Sequence, residues 1–264
     1  MYYDYHVHSH FSADCEADMK DIIETAIKLQ LKEICFTDHT DYDYCDSSIN
    51  FEFDIAEYTD HINLMRQRYG KEIKILKGIE MGIQPHIVEK CDRVVREGDF
   101  DFVICSIHTC EKKDLYNGDF YKGKTPRQAY VKYFEELLYC IKNFENFNII
   151  GHLNILARYN KTIANEKLSS YFDILEVIFK ALIERNKGIE VNTSSLRYTD
   201  TLLLSPEILK FYYELGGEII TLGSDTHVPN TLAYEFDYIY GILKEIGFKY
   251  ITTFEKMEPK FIKI

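Results

Sequence analysis

Short apolar runs alternate with longer amphipathic segments along the whole chain. The apolar runs are rich in β-branched and aromatic residues, which favours strands, whereas the segments between them carry apolar residues at helical spacing. Seven strands are predicted, at Tyr2–His8, Glu33–His39, Ile73–Gly82, Phe102–His108, Phe147–His152, Gly188–Asn192 and Glu218–Gly223. Seven helices are predicted around residues 18–30, 55–69, 86–97, 126–145, 166–187, 206–215 and 231–247.

This alternation predicts an α/β fold with parallel strands. Local signals agree with it, because Thr125-Pro126 indicates a helix N-cap followed by proline in the first turn. Gly188 is predicted to lie at a helix C-terminus. No Pro-, Gly- or Ser-rich linker divides the chain, so residues 1–264 are expected to form a single domain. Seven strand–helix units in one undivided chain favour a barrel over an open sheet.

The composition limits the classes of partner. The net charge is −12, from 43 acidic and 31 basic residues, so a protein that coats nucleic acid is not expected. This net charge does not exclude a small phosphorylated substrate, because bound divalent cations reverse the local charge. The sequence leaves the oligomeric state open.

The sequence also predicts a compartment. Its first residues lack the basic and apolar regions of a signal peptide, and the seven cysteines contain no CxxC pair. The apolar stretch at residues 171–183 contains charged residues and is too short to span a bilayer. We therefore expect a cytoplasmic protein with reduced thiols and no membrane partner.

Six of the nine histidines follow predicted strands at their C-terminal ends. In parallel barrels the rim formed by those ends is where active sites assemble. A single histidine there is more often an ordinary hydrogen-bonded residue, but six histidines together with Glu80 and Asp225 indicate a metal cluster. The six are His6, His8, His39, His108, His152 and His227.

The spacing of these residues supports a metal site. His6 and His8 point to the same face of a strand, because side chains alternate with a period of two, so both rings can reach one ion. Asp225 and His227 repeat that spacing near the other end of the chain. Nitrogen and oxygen ligands without cysteine suit Zn, Mn or Fe. A closed structural zinc site uses four ligands, so this set is too large for one ion.

The ordered motifs resemble those of the PHP (polymerase and histidinol phosphatase) family. They run from residue 6 to residue 227, so the resemblance covers nearly the whole chain. It implies a distorted, TIM-like (β/α)7 barrel that binds three divalent transition metals. The motifs are His6-Val-His8-Ser9-x-x-Ser12, Thr37-Asp38-His39, Gly78-Ile79-Glu80, Ser106-Ile107-His108, Gly151-His152 and Gly223-Ser224-Asp225-Thr226-His227.

The resemblance also implies which residues hold each metal. The first is expected between two histidines and two carboxylates, namely His6, His8, Glu80 and Asp225. The second is expected between Glu80, His108 and His152, with Glu80 bridging the two ions. The third is expected between Asp14, His39 and His227, where some family members have histidine in place of Asp14.

Residues 157–159 and 190–197 are similar to the histidinol-phosphatase branch of the family, in which two arginines contact the substrate phosphate. The resemblance therefore implies that Arg158 and Arg197 bind substrate and take part in catalysis together with Glu80, and that Tyr159 lies beside the substrate. An arginine fork matches phosphate oxygens on chemical grounds alone. The position of both arginines just past predicted strands favours this role over a surface ion pair.

The expected reaction is hydrolysis of a phosphate monoester. The resemblance implies L-histidinol phosphate as substrate, in histidine biosynthesis, attacked by a hydroxide that bridges two metals, since coordination lowers the pKa of water to roughly 7. Three alternatives stay open. They are a PHP phosphoesterase acting on a nucleotide, sugar phosphate or phosphotyrosine, a metal-dependent amidohydrolase, and a non-catalytic metal-binding protein.

Some polar residues near these motifs receive no ligand role. Asp41, Asp43 and Asp46 follow His39 directly, and we expect them either to bind a cationic part of the substrate or to form a solvated loop. His10 is a candidate for a place next to the ligands. His61 is expected to be a surface or interhelix residue within a helix.

Overall fold

The computed structural model describes residues 1–198 and 202–264, and within them it contains twelve strands and nine α-helices. The strands are β1 (Tyr3–Val7), β2 (Glu33–Phe36), β3 (His39–Asp41), β4 (Lys74–Gly82), β5 (Phe102–Ser106), β6 (Thr109–Cys110), β7 (Lys113–Asp114), β8 (Ile149–Ile150), β9 (Gly188–Asn192), β10 (Ile220–Gly223), β11 (Tyr250–Glu255) and β12 (Glu258–Lys263). The helices are α1 (Met19–Lys28), α2 (Ile55–Tyr69), α3 (Val88–Gly98), α4 (Pro126–Asn143), α5 (Ile155–Tyr159), α6 (Lys161–Ala164), α7 (Phe172–Glu184), α8 (Pro206–Glu214) and α9 (Phe236–Ile246).

Seven strands form a parallel barrel in the order β1, β2, β4, β5, β8, β9, β10. Every pair of neighbours along this path is parallel. Val7 and Thr226 add an isolated parallel bridge, and the backbone N–H of His8 donates to the Thr226 carbonyl at 3.0 Å. This bridge brings the first strand to the last and nearly closes the barrel. The predicted α/β class and distorted (β/α)7 TIM-like barrel are confirmed.

Helix boundaries follow the local chemistry of the sequence. The Thr125 side chain accepts a hydrogen bond from the Gln128 backbone, and the Gln128 side chain accepts one from the Thr125 backbone, so α4 begins with a capping box and Pro126. The helix C-terminus predicted at Gly188 is wrong, because α7 ends at Glu184, whereas the strand predicted to begin at Gly188 is confirmed. Gly188 is the first residue of β9, where a Cβ atom would collide with the backbone of Ile219.

Four parts of the fold have no counterpart among the predicted elements. They are the three-residue strand β3, the β6–β7 hairpin, the short helices α5 and α6, and the β11–β12 hairpin. β3 pairs with the end of β4 and places His39 opposite Glu80. No helix in the described ranges combines the length and apolar character that a membrane span requires.

The C-terminal hairpin β11–β12 covers the N-terminal end of the barrel. The Tyr5 hydroxyl accepts a hydrogen bond from the Phe254 backbone N–H at 2.9 Å, and the Phe254 ring lies 5.1 Å from that of Phe102. The Asn148 side chain donates to the Met257 carbonyl at 2.9 Å. The buried core therefore extends to this end of the barrel and leaves the opposite rim for polar residues.

Asp4 joins β1 to the segment that follows β10. Its fully buried carboxylate accepts hydrogen bonds from the Ser224 backbone (3.0 Å), the Ser224 hydroxyl (2.6 Å) and the Ala233 backbone (2.9 Å). Burial raises the pKa of Asp4 to about 6, and the hydrogen bonds oppose that rise. One side chain thus satisfies several donors at the seam of the barrel.

We expect Asp4→Ala to destabilise the fold by about 3–5 kcal/mol, because it leaves several buried donors without an acceptor. Urea unfolding followed by circular dichroism measures this change. Asp60→Ala, on the exposed face of α2, is the control and should change the free energy of unfolding by less than about 0.5 kcal/mol. Equal stability of the two variants would contradict the role of Asp4.

Candidate metal centre

The predicted metal ligands converge at the C-terminal rim of the barrel. A cavity of about 480 Å³ opens there, and eight of the nine residues line it. His6 lies just below its floor and is fully buried. The eight lining residues are His8, Asp14, His39, Glu80, His108, His152, Asp225 and His227.

One group of donor atoms surrounds a point between β1, β4 and the end of β10. His6 Nε2 lies 3.1 Å from Glu80 Oε2, and His8 Nε2 lies 3.6 Å from the same oxygen. Asp225 Oδ1 lies 3.3 Å from His8 Nε2 and 3.8 Å from His6 Nε2. Tetrahedral ligands about 2.0–2.1 Å from an ion are roughly 3.3 Å apart, so this spacing fits one ion.

The second oxygen of Glu80 faces a different pair of rings. Glu80 Oε1 lies 2.8 Å from His152 Nε2 and 3.3 Å from His108 Nε2. The Ser106 hydroxyl donates to the same oxygen at 2.6 Å. Because its two oxygens face two separate groups of histidines, Glu80 has the geometry that a bridging carboxylate requires.

Asp14 makes a third group at the outer edge of the cavity. Its Oδ1 lies 2.9 Å from His39 Nε2, and its Oδ2 lies 3.4 Å from His227 Nε2. The His227 ring stacks on His8 with centroids 4.2 Å apart, so this group borders the first one. The Asp14 side chain is half-exposed, unlike the other predicted carboxylate ligands.

The charges in this cluster keep its buried carboxylates ionised and attract positive charge. Burial raises the pKa of Glu80, but the facing His6 and His108 outweigh it and hold that pKa well below its usual range. Burial lowers the pKa of His8 to about 3. The carboxylates raise the pKa of His6 well above its usual value against the effect of burial, which shows how strongly the cluster attracts positive charge. Ionised carboxylates are the form that binds metal, and an ion bound here would displace the protons that the histidines otherwise hold.

A buried atom without a partner also fits a metal. Within the described part of the chain, His8 Nε2 is buried and has no hydrogen-bond partner. Leaving such an atom unsatisfied costs about 1–3 kcal/mol, and coordination to an ion would satisfy it. The donors are imidazole nitrogens and carboxylate oxygens, a set that suits Zn, Mn or Fe.

The rim histidines are held from behind by outer partners. In five of the six rings Nδ1 contacts an atom that is not a predicted ligand atom, on Glu190, Ser12, Asp41 (for two rings) or the backbone carbonyl of Asp225. Such partners fix the tautomer and direction of a ligating ring. Glu190 Oε1 lies 2.6 Å from His6 Nδ1, and Glu190 Oε2 accepts the backbone N–H of His152 at 2.8 Å.

Sequence patterns alone give Glu190 no role and leave two roles open for Asp41. A charged residue in the middle of an apolar strand was the available signal for Glu190. The two-residue spacing from His39 was the available signal for Asp41, because it places both side chains on one face of a strand.

The predicted substrate-binding residues do not all face the cavity. Arg158 and Tyr159 line it, and Arg158 Nη2 lies 2.6 Å from Asp225 Oδ2. Arg197 is absent from the described lining and donates instead to the backbone carbonyls of Ser224 (3.1 Å) and Asp225 (3.0 Å). Asp225 has a φ of +52°, which is uncommon for a residue other than glycine, so Arg197 supports a strained backbone next to the cluster.

The acidic loop after His39 divides into different environments. Asp41 is buried between His39 and His108, whereas the exposed Asp43 pairs with His86 at 2.6 Å. Asp46 lines the outer half of the cavity. Its neighbours in that outer wall are Tyr44, Ile49, Phe51, Asp114, Tyr116 and Asn117.

His10 and His61 lie apart from the cluster. His10 is exposed, and its ring packs against His61 with centroids 5.1 Å apart. Neither residue belongs to the described cavity lining, so the structure gives no support to a place for His10 behind the ligands.

The fold and the histidines and carboxylates at its rim define the class of this protein. It is an α/β barrel with a candidate transition-metal centre. The profile of the PHP domain family matches residues 4–194. The chain belongs to the PHP domain family.

Several relatives are similar over nearly their whole length. The histidinol-phosphatase of Lactococcus lactis subsp. lactis is 34% identical over 257 residues, which cover 97% of this chain and 95% of the relative. A probable histidinol-phosphatase of Clostridium acetobutylicum is 29% identical over 262 residues, which cover 99% and 100%.

Solved structures agree with this assignment. Histidinol phosphate phosphatase from Lactococcus lactis subsp. lactis, complexed with zinc, L-histidinol and phosphate, superposes with a TM-score of 0.91 at 34% identity, covering 98% of each chain. A putative histidinol phosphatase from Listeria monocytogenes superposes with a TM-score of 0.78 at 17% identity, covering 90% of this chain and 99% of that one. The second comparison supports the fold alone.

We expect divalent transition metals to stabilise chelator-treated protein. A ligand at 100 times its Kd adds about 2.7 kcal/mol, which raises the Tm of a chain of this size by roughly 5–10 °C. Thermal unfolding with Zn²⁺, Mn²⁺ or Fe²⁺ measures this shift. Mg²⁺ at the same concentration is the control and should have little effect, because it prefers oxygen ligands. Equal shifts with Mg²⁺ and with the transition metals would contradict the proposed donor set.

Proposed function

We propose that this chain is a metal-dependent phosphomonoesterase that hydrolyses L-histidinol phosphate to L-histidinol and phosphate. The observation that carries the proposal is the rim cluster beside Arg158, in a chain that matches a zinc-, histidinol- and phosphate-bound relative over nearly its full length. We also propose that residues 1–264 act as one catalytic domain, in the cytoplasm.

The nine rim residues would hold three divalent transition metals, with Glu80 bridging the first two. The support is geometric, because the two oxygens of Glu80 face two different groups of histidines and Asp14 lies between two further rings. Bound there, such ions lower the pKa of water to roughly 7 and compensate the charge of a phosphate. The metal is Zn, Mn or Fe by donor chemistry.

Arg158 is the phosphate-binding side chain that the geometry favours. It lies at the cavity wall, and its hydrogen bonds to Asp225, Asn192 and Ser194 all use Nη2, so phosphate would be contacted by the rest of the guanidinium. Burial lowers the pKa of Arg158, but the Asp225 charge outweighs it and raises that pKa, so the guanidinium stays charged. Arg158 can therefore contact phosphate and hold Asp225 with one fork.

Arg197 reaches the same site through the backbone. Its Nη1 and Nη2 donate to the carbonyls of Ser224 and Asp225, and the side chain lies outside the described cavity lining, which favours an indirect role over direct contact with phosphate. We propose that Arg197 contributes to catalysis mainly by fixing the position of Asp225.

The outer wall of the cavity suits a cationic substrate. Asp46 and Asp114 supply negative charge, and Tyr44, Phe51 and Tyr116 supply aromatic faces. L-Histidinol phosphate carries an ammonium and an imidazole, which carboxylates and aromatic rings recognise. A nucleotide or sugar phosphate would not use this negative charge, so the wall favours the amino-alcohol substrate.

We expect L-histidinol phosphate to be hydrolysed with a kcat/KM at least about 100-fold above that of p-nitrophenyl phosphate. Charge-assisted contacts to its two nitrogen groups are worth about 1.5–3 kcal/mol each when they form in the transition state. Phosphate release with Mn, Zn and Fe supplied separately is the measurement. Similar kcat/KM values for both compounds would keep a PHP phosphoesterase but remove the histidinol assignment.

Arg158→Ala should lower kcat/KM roughly 30- to 1000-fold, because it removes about 2–4 kcal/mol of contact with the phosphate in the transition state. Elemental analysis should still show bound metal, because His6, His8 and Glu80 remain as predicted ligands when Asp225 loses its contact with Arg158. Arg158→Lys is the matched control, which keeps the charge but loses the fork and should recover only part of the rate. Full activity in Arg158→Ala would refute the assignment.

A further inference from the structure

We propose that Asp41 is a positioning residue that couples two of the metal sites by orienting His39 and His108 with a single carboxylate. This inference rests on the proposed function, because it requires that both histidines bind metal. It gives Asp41 a role different from that of a solvated loop residue or a contact to the substrate.

The Asp41 carboxylate contacts Nδ1 of both rings, and its Oδ2 also lies 3.1 Å from His108 Nδ1. Asp41 Oδ2 lies 2.8 Å from His39 Nδ1, and Asp41 Oδ1 lies 2.8 Å from His108 Nδ1. The carboxylate is only 5% exposed, so water does not compete strongly for these bonds. With both Nδ1 atoms donating to Asp41, both Nε2 atoms are left as lone-pair donors.

Those two Nε2 atoms face different groups of ligands. His39 Nε2 lies 2.9 Å from Asp14 Oδ1, whereas His108 Nε2 lies 3.3 Å from Glu80 Oε1. Asp41 therefore contacts one histidine that faces Asp14 and one histidine that faces Glu80 Oε1. Loss of the carboxylate releases both rings together.

The backbone around Asp41 is built to hold it there. β3 pairs with β4 so that Asp41 lies opposite Gly82. A Cβ atom at position 82 would collide with the Asp41 carboxylate, so the glycine provides the space that the side chain occupies. His39 and Asp41 are two residues apart on one short strand, which points them to the same side.

The alternative role for Asp41 is that of a metal ligand. His39, Asp41 and His108 each offer an atom within 4.8 Å of the others, and a metal there would use the Nδ1 atoms. The two roles predict opposite tautomers of His39 and His108. A positioning role keeps a proton on Nδ1 and leaves Nε2 free, whereas a ligand role removes the proton from Nδ1.

The first experiment uses the wild-type protein. In zinc-loaded chain labelled with ¹⁵N-histidine, long-range ¹H–¹⁵N correlation spectra identify the protonated nitrogen of each ring. His39→Gln and His108→Gln assign the two signals. We expect protonated Nδ1 in both rings, and deprotonated Nδ1 in either would overturn the proposal.

The second experiment measures metal affinity in Asp41→Asn by titrating the chelator-treated protein with Zn²⁺. The amide offers one acceptor in place of two, so we expect two of the metal equivalents to bind about 10- to 100-fold more weakly and one to be unchanged. Asp43→Asn is the matched control, because Asp43 is exposed, pairs with His86 and should leave every affinity unchanged. Weakening of one equivalent or none would refute the coupling.

Gly82→Ala is a further test, because the added Cβ atom leaves the Asp41 carboxylate in place chemically but displaces it. It should weaken the same two equivalents, and wild-type affinities in this folded variant would contradict the proposal. If the wild-type chain itself binds no transition metal, the proposed function fails. If it binds three and Asp41→Asn binds them equally well, only this inference fails.

Discussion

The seam between β1 and β10 determines whether this site can exist. Asp4 and Ser224 are 220 positions apart in the sequence, yet two short hydrogen bonds and the Val7–Thr226 bridge hold their strands together. Predicted metal ligands lie just beyond this contact, with His6 and His8 on one side and Asp225 and His227 on the other. Closing the barrel therefore also brings together the first group of donor atoms.

The cluster concentrates ionisable groups that a hydrophobic core would exclude. Burying a carboxylate without a partner is costly, and here each buried carboxylate faces imidazoles, an arginine or several N–H groups. The histidines in turn are backed by Asp41, Glu190 and Ser12. A cation at the centre would complete this arrangement, because it would replace the protons that the carboxylates otherwise attract.

Much of this architecture could be predicted because parallel strands impose simple rules. Seven strands and the convergence of their C-terminal ends followed from the alternation of apolar and amphipathic segments. β3 escaped prediction because its three residues are polar, so it has no apolar signature. The place of Arg197 behind Asp225 depends on the direction of the short 3₁₀ turn Ser194–Arg197, and residue spacing alone does not encode that direction. Which partner each Nδ1 selects likewise depends on contacts between distant strands.

The hydrogen bond between Tyr5 and Phe254 joins the C-terminal hairpin to the strand that carries His6 and His8. A shift of β1 by one residue would turn both histidines to the opposite face of the strand. β2 holds this register along one edge of β1, and β11 adds a second contact through Phe254. A substitution that loosens the β11–β12 hairpin would therefore disturb the rim from the far end of the barrel, although the described cavity lining contains no hairpin residue.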